Sequence, residues 1–308
     1  GFADPRTEPV ETALARIRQL SAHEVGHTLG FAHNFAASVN GRASVMDYPA
    51  PKVLIREDRS LDLSDAYDVG IGEWDKYSVR YAYTQFAPGV NEKAGLEAIV
   101  HEWLAAGMHF ASDQDARSLG TAHAHAHLWD NGSDPVAALG HALEVRRVAM
   151  DRLSENALPK GTPMAALEET VVPVYLHHRY QLEAATKLIG GYHYTYAVRG
   201  DGQIPQRPVP AARQRMALEQ VLACLRPSTL ALPRRLIDVI PPSPFGGRGE
   251  RERFPRRTGA VFDSLAVAET AADIALAALL HPQRATRLAL ATTLDPQAVG
   301  LVEVIDTL

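Results

Sequence analysis

At 308 residues, with 46% hydrophobic and 22% charged residues, the chain has the balance of a folded globular protein, long enough for one large or two ordinary domains. A net charge of −5 argues against nucleic acid as the main partner, and no uninterrupted apolar run is long enough to span a bilayer. A single cysteine, Cys224, excludes an intrachain disulfide framework; set among Leu218, Val221, Leu222 and Leu225 it reads as a buried, inert thiol.

Residues 11–29 predict a helix, with Leu14, Ile17, Leu20 and Val25 marking an apolar side. Its end runs into His23-Glu24-Val25-Gly26-His27-Thr28-Leu29-Gly30-Phe31-Ala32-His33. Residues four apart share a helix face, so His23 and His27 turn their ring nitrogens toward one ion. Glu24, about 100° around the helix from His23, is placed to reach a water at that ion without ligating it. Gly30 takes the left-handed conformation that ends a helix and swings His33 back as third ligand.

Residues 31–60 read as loop, with Asn40-Gly41-Arg42 leading into Ser44-Val45-Met46-Asp47-Tyr48-Pro49. An unbranched thioether such as Met46 suits an irregular gap beneath three rings. Within residues 65–86 the latter part predicts a helix whose Trp74, Tyr77 and Tyr81 form an aromatic stripe that braces the first helix. The H-E-x-x-H-x-x-G-x-x-H pattern is the zinc signature of the metzincin endopeptidases, and the segment around Met46 resembles their Met-turn. Together with Ala3-Asp4-Pro5-Arg6, His33-Asn34-Phe35-Ala36-Ala37-Ser38 and Gly72-Glu73-Trp74-Asp75-Lys76-Tyr77, these motifs resemble the bacterial Met-zincin family of zinc-dependent metalloproteases. The resemblance implies Zn²⁺ held by His23, His27 and His33, Glu24 as general base toward a zinc-activated water, and Met46 as the hydrophobic floor. It also puts Tyr48 where some metzincins carry a tyrosine that approaches the metal and then hydrogen-bonds the oxyanion; a packed, hydrogen-bonded tyrosine is the other reading. The implied partners are a peptide or protein substrate and upstream domains of a parent chain, and the implied setting is export from a bacterial cell. Because metzincins place a sheet and further helices before the zinc helix, an upstream catalytic half is expected outside this chain.

Pro88-Gly89 marks a boundary, dividing residues 1–90, a metzincin-like zinc-binding subdomain, from residues 91–308, an α-helical domain. Helices are predicted over residues 91–110, 135–155, 164–189 (kinked or split at Pro173), 211–225, 263–280, 283–293 and 296–306, so the expected fold class is mainly α. His123, His125 and His127 alternate; a second metal there is the weaker reading beside ordinary exposed or hydrogen-bonded histidines. Asp130-Asn131-Gly132-Ser133-Asp134 reads as a turn in which Ser133 or Asp134 caps the next helix. The basic stretch over residues 248–257, which includes Glu250 and Glu252, reads as a solvated loop, and Arg199-Gly200-Asp201 as a turn.

The function expected is that of a zinc endopeptidase. Two rivals stand beside it: a gluzincin-type aminopeptidase with Glu57 or Glu73 as third ligand, and a non-catalytic zinc-binding or helical scaffold module.

Overall fold

The computed structural model describes residues 9–243 and 252–308; Ala3-Asp4-Pro5-Arg6 and residues 248–251 of the basic stretch lie outside the described residues. Helix α1 (Pro9–Thr28) leads into a loop carrying a 3-10 turn (Ala37–Asn40) and the short hairpin β1 (Leu54–Ile55) and β2 (Leu61–Asp62). Then come α2 (Glu73–Tyr83), α3 (Glu92–Ala105), the one-turn α4 (Asp113–Ala116), α5 (Pro135–Arg152), α6 (Leu167–Tyr175) and α7 (Arg179–Lys187). A second antiparallel hairpin, β3 (Tyr192–Tyr194) and β4 (Gln206–Pro208), precedes α8 (Ala211–Ala223), α9 (Pro227–Leu230), α10 (Arg234–Ile237), α11 (Ser264–Leu279), α12 (Pro282–Leu294) and α13 (Leu301–Thr307). The fold is mainly α, as the helical periodicity implies.

Helix starts follow local chemistry. Asp134 accepts from the backbone N–H groups of Val136 and Ala137 and precedes Pro135, so α5 begins with a carboxylate cap and a first-turn proline. The expected break at Pro173 falls later: Pro173 lies inside α6, and the helix stops at Tyr175. There the buried Arg146 donates to Tyr175 O at 2.7 Å, satisfying a terminal carbonyl that α6 no longer bonds internally.

The largest core surrounds α7: its Leu182 and Ala185, with Leu188 and Ile189 just beyond its end, pack with Leu139 of α5, Val221 of α8 and Ala278 and Leu279 of α11. Cys224 belongs to this cluster, and burial pushes its thiol up to about 12, too high for a nucleophile. A second core joins α6, α10 and α11 through Val171, Tyr175, Leu236 and Val267. Two smaller clusters join the first ninety residues to the rest: Phe35 and Ala36 pack with Ala111, Ala116 and Ala126, and Leu61 packs with Val145, Val148 and Ala149 of α5. No single described helix is long and apolar enough to cross a membrane.

Two expectations are corrected. On α1 the apolar residues Ile17, Leu20 and Val25 are exposed, and the buried ones are Gln19, His23 and Gly26, so the helix turns its histidine face inward. The described part of the basic stretch is not simply solvated: Arg256 pairs with Glu168, which has no exposed surface, and Arg253 pairs with Glu169. Those carboxylates on α6 need cationic partners because burial strips them of water.

The interior also holds imidazoles that folding keeps neutral. Burial lowers His123 and His177 to about 4 and His125 and His178 to about 3, and pushes His127 well below its ordinary value. In each case the folded pKa lies below that of the unfolded ring, about 6.5. The unfolded chain therefore binds more protons between about pH 4 and 6.5, and stability rises with pH across that window. A buried carboxyl pair opposes it: burial raises Asp130 to about 7, and burial with the Asp130 charge raises Asp47 well above the usual range. Five imidazoles outnumber one pair. The urea midpoint is therefore expected to be lower at pH 5.0 than at pH 7.5, and His178→Gln should reduce the difference. A midpoint that is equal or higher at pH 5.0 would contradict this account.

Candidate metal centre

Helix α1 ends in a turn where Gly30 has φ +90°, the left-handed value that most side chains resist, and the chain doubles back to His33. His23, His27 and His33 each present one ring nitrogen, and the three atoms lie within 4.8 Å of one another. Among the described residues no other group of histidines, cysteines or carboxylates converges in this way. His27 Nε2 and His33 Nε2 are 3.2 Å apart. Two Zn–N bonds of about 2.0–2.1 Å at a tetrahedral angle separate their nitrogens by about 3.3 Å, so the spacing fits zinc.

The opposite ring nitrogens decide which tautomer each histidine adopts. His23 Nδ1 lies 2.7 Å from Val45 O, His27 Nδ1 2.9 Å from Phe31 O, and His33 Nδ1 2.8 Å from Asp113 Oδ2. Carbonyl and carboxylate oxygens only accept, so each Nδ1 carries a proton and donates it. A neutral ring then keeps its Nε2 lone pair for a metal. Burial holds the His23 pKa below its ordinary value, which favours that neutral form. Partial burial pulls Asp113 upward, but hydrogen bonds from His33 and Arg117 outweigh it and hold the carboxyl below its usual range.

Met46 is 2% exposed and packs closely against α1 at Gly26, where an added Cβ would sit 2.2 Å from Met46 Sδ. The turn holding Met46 is anchored by Asp75 of α2, whose carboxylate accepts from Ser44 Oγ at 2.6 Å, Val45 N at 2.9 Å and Gly72 N at 2.7 Å. Gly72 is obligatory there because a Cβ would lie 1.9 Å from Ala43 O. On the other side, Asn34 N donates to Met46 O at 3.0 Å, and the Asn34 amide donates to His109 O and accepts from Ala111 N.

Tyr48 is half-buried, with its ring centroid 5.2 Å from that of His23 and 4.8 Å from that of His33, and it packs on Phe35 and Trp129. Its phenol also interacts with the Arg117 side chain. Glu24 is exposed on α1, near enough to His23 for its charge to favour protonation of that ring.

Other candidates lie elsewhere. Glu57 and Glu73 are exposed and outside the cluster, and Glu73 pairs with Lys76. His123, His125 and His127 do not converge: His125 N donates to His123 Nδ1, and His127 Nε2 donates to Ala124 O. Asp113, Arg117 and the anchoring role of Asp75 escape a sequence reading. Asp113 and Arg117 belong to no spacing motif, and only the long-range packing of the segment after α3 brings them to the site.

Gly26→Ala tests the floor. Alanine favours a helix over glycine by about 1 kcal/mol, but forcing a methyl against a buried Met typically costs about 1–3 kcal/mol. Overpacking wins, so the variant should be less stable in thermal unfolding and bind zinc more weakly in chelator competition. A more stable variant with unchanged affinity would show that Met46 is not confined by α1.

A sequence profile of the Met-zincin family matches residues 6–308. No curated protein and no solved structure matches the chain. The profile covers almost the whole sequence: the chain belongs to the Met-zincin family, which implies a zinc-dependent metallopeptidase, and its histidine cluster could hold a metal ion.

Proposed function

We propose that this chain hydrolyses internal peptide bonds as a zinc endopeptidase, with Glu24 as general base. The observation that carries the reading is the set of three converging imidazoles, each with its Nδ1 proton given to a protein oxygen. Bound zinc supplies a Lewis acid that lowers the pKa of water toward neutrality and polarises a peptide carbonyl. His23, His27 and His33 would hold the ion. Glu24 follows the first ligand on the helix; from there it takes the proton of the attacking water and returns it to the departing amine. Tyr48, packed against two of the rings, donates its phenolic proton in a hydrogen bond to the developing oxyanion after leaving Arg117.

A second reading, a zinc-binding scaffold without turnover, draws on one observation. Ile17 and Val25 on α1, and Leu29 just beyond its end, are exposed, so the described residues do not wall in the base.

Glu24→Gln separates the two. It should leave zinc content unchanged and lower peptide hydrolysis by about 10²–10⁴-fold, the usual contribution of a general base. Turnover equal to that of the unsubstituted chain at full zinc occupancy would eliminate the assignment, and absence of turnover in both would favour the scaffold. Tyr48→Phe should lower kcat more than it alters KM, because the proposed hydrogen bond forms chiefly in the transition state. A change in KM alone would make Tyr48 a substrate contact instead.

A further inference from the structure

The third histidine is held by a residue 80 positions further along the chain. We propose that Asp113 is a positioning residue of the metal centre, and that delivering it to His33 is a task of the helical part of the molecule. The inference rests on the reading of His23, His27 and His33 as metal ligands.

The capping box of α4 does not use the Asp113 side chain. The N-terminus of α4 is closed by a capping box formed by Ser112 and Asp115, with Ser112 N donating to Asp115 Oδ2 at 3.3 Å. Asp113 Oδ2 accepts from His33 Nδ1 at 2.8 Å and, at 3.3 Å, from Ser112 Oγ, and Oδ1 accepts from Arg117 Nε at the C-terminal end of α4, so His33 is the partner that ties this carboxylate to the rest of the molecule. Arg117 in turn meets the phenol of Tyr48. A single carboxylate thus orients the third ligand and is itself oriented by a cation that touches the tyrosine beside that ligand.

A one-turn helix is a poor platform by itself, since isolated helical turns are unstable in water. Here α4 is fixed from several directions. Tyr194 and Tyr196, on and just beyond β3, both donate to Asp115 Oδ1, at 2.6 and 2.7 Å, and Gln114 donates to the Tyr196 hydroxyl. Lys187, at the end of α7, donates to Ala116 O at 2.6 Å, and Phe35 N donates to Ala111 O at 2.8 Å. Elements from α7 to the β3–β4 hairpin thereby locate the Asp113 carboxylate. A carboxylate accepting from the distal nitrogen of a ligand histidine fixes its tautomer and raises its basicity, and losing such a partner typically costs 10–100-fold in metal affinity.

The test is zinc affinity by competition with a chromophoric chelator, on the full chain and on Asp113→Ala, Asp113→Asn and His33→Ala. Asp113→Ala is expected to bind zinc about 10–100-fold more weakly. Asp113→Asn, which keeps the shape and an acceptor oxygen but not the charge, should recover part of that loss. The visible bands of the Co²⁺-loaded protein should shift in Asp113→Ala, reporting a changed third ligand in a way that loosened packing elsewhere does not. Unchanged affinity and an unchanged cobalt spectrum in Asp113→Ala would overturn the proposal while leaving the histidine ligands standing, provided His33→Ala still weakens binding. Failure of the unsubstituted chain to bind zinc would overturn the ligand reading, and this inference with it. If Asp113→Ala fails to fold, Asp113→Asn decides: affinity and spectrum equal to those of the unsubstituted chain, together with an Asp113→Glu variant equal to it, would reduce the contact to packing.

Discussion

An imidazole becomes a reliable metal ligand only when its second nitrogen is occupied, and the surroundings of α1 are organised around that requirement. A free ring samples two tautomers and several rotamers, and binding must then pay for selecting one. Here the selection is made during folding, by three acceptors of different origin. Phe31 O comes from the turn that ends α1, Val45 O from the methionine turn, and Asp113 from a helix beyond α3. The ring nitrogens belong to one short motif; their orientation belongs to the whole molecule.

Each acceptor has to be fixed in turn, and this is where the buried polar groups find their use. Val45 is held through Asp75, and Asn34 ties the segment after His33 to both Met46 and residues 109–111. Lys187 is 3% exposed, and its ammonium donates to Ala116 O and Ala126 O, at either end of the stretch that runs past the site. Burial lowers it to about 8, the mark of a charge that pays heavily for leaving water. Arg284, with no exposed surface, does the same for Leu119 O, Ile189 O and Ala278 O. Cations that bond only carbonyls add little net stability, yet they fix the mutual positions of segments that apolar contacts alone would let slide.

Local chemistry made much of this legible in the sequence. The histidine spacing, the turn at Gly30 and the methionine turn are short-range patterns, and the long helices announce themselves by period and by caps such as Asp134. What stayed hidden is what depends on sequence-distant contact. The strands are two or three residues long, too short to alternate, and α4 is a single turn fixed by Tyr194, Tyr196 and Lys187. Asp113 and Arg117 sit in an unremarkable polar stretch, and nothing in their spacing points to His33. Pro173 misplaced the break in α6 because the end of a helix also depends on who receives its last carbonyls, and Arg146 is 29 residues away from the one it satisfies.

The rotational setting of α1 shows how strongly the site governs the fold. Hydrophobic periodicity would turn Ile17, Leu20 and Val25 inward, and fully burying such side chains is worth about 1.5–3 kcal/mol each. The structure forgoes that gain. Gln19, His23 and Gly26 occupy the inner face instead, where His23 and Gln19 bond Val45 O and Gly26 lets α1 approach Met46 closely. The docked face is consequently small, polar and held by hydrogen bonds from His23 and Gln19 to Val45 O rather than by a broad apolar seam. A helix held in this way has little reason to stay docked unless its ligand face is engaged. Ions that bind the histidines therefore stabilise the packing of α1, and the packing of α1 sharpens the site, so metal affinity and helix docking are two measures of one linked equilibrium.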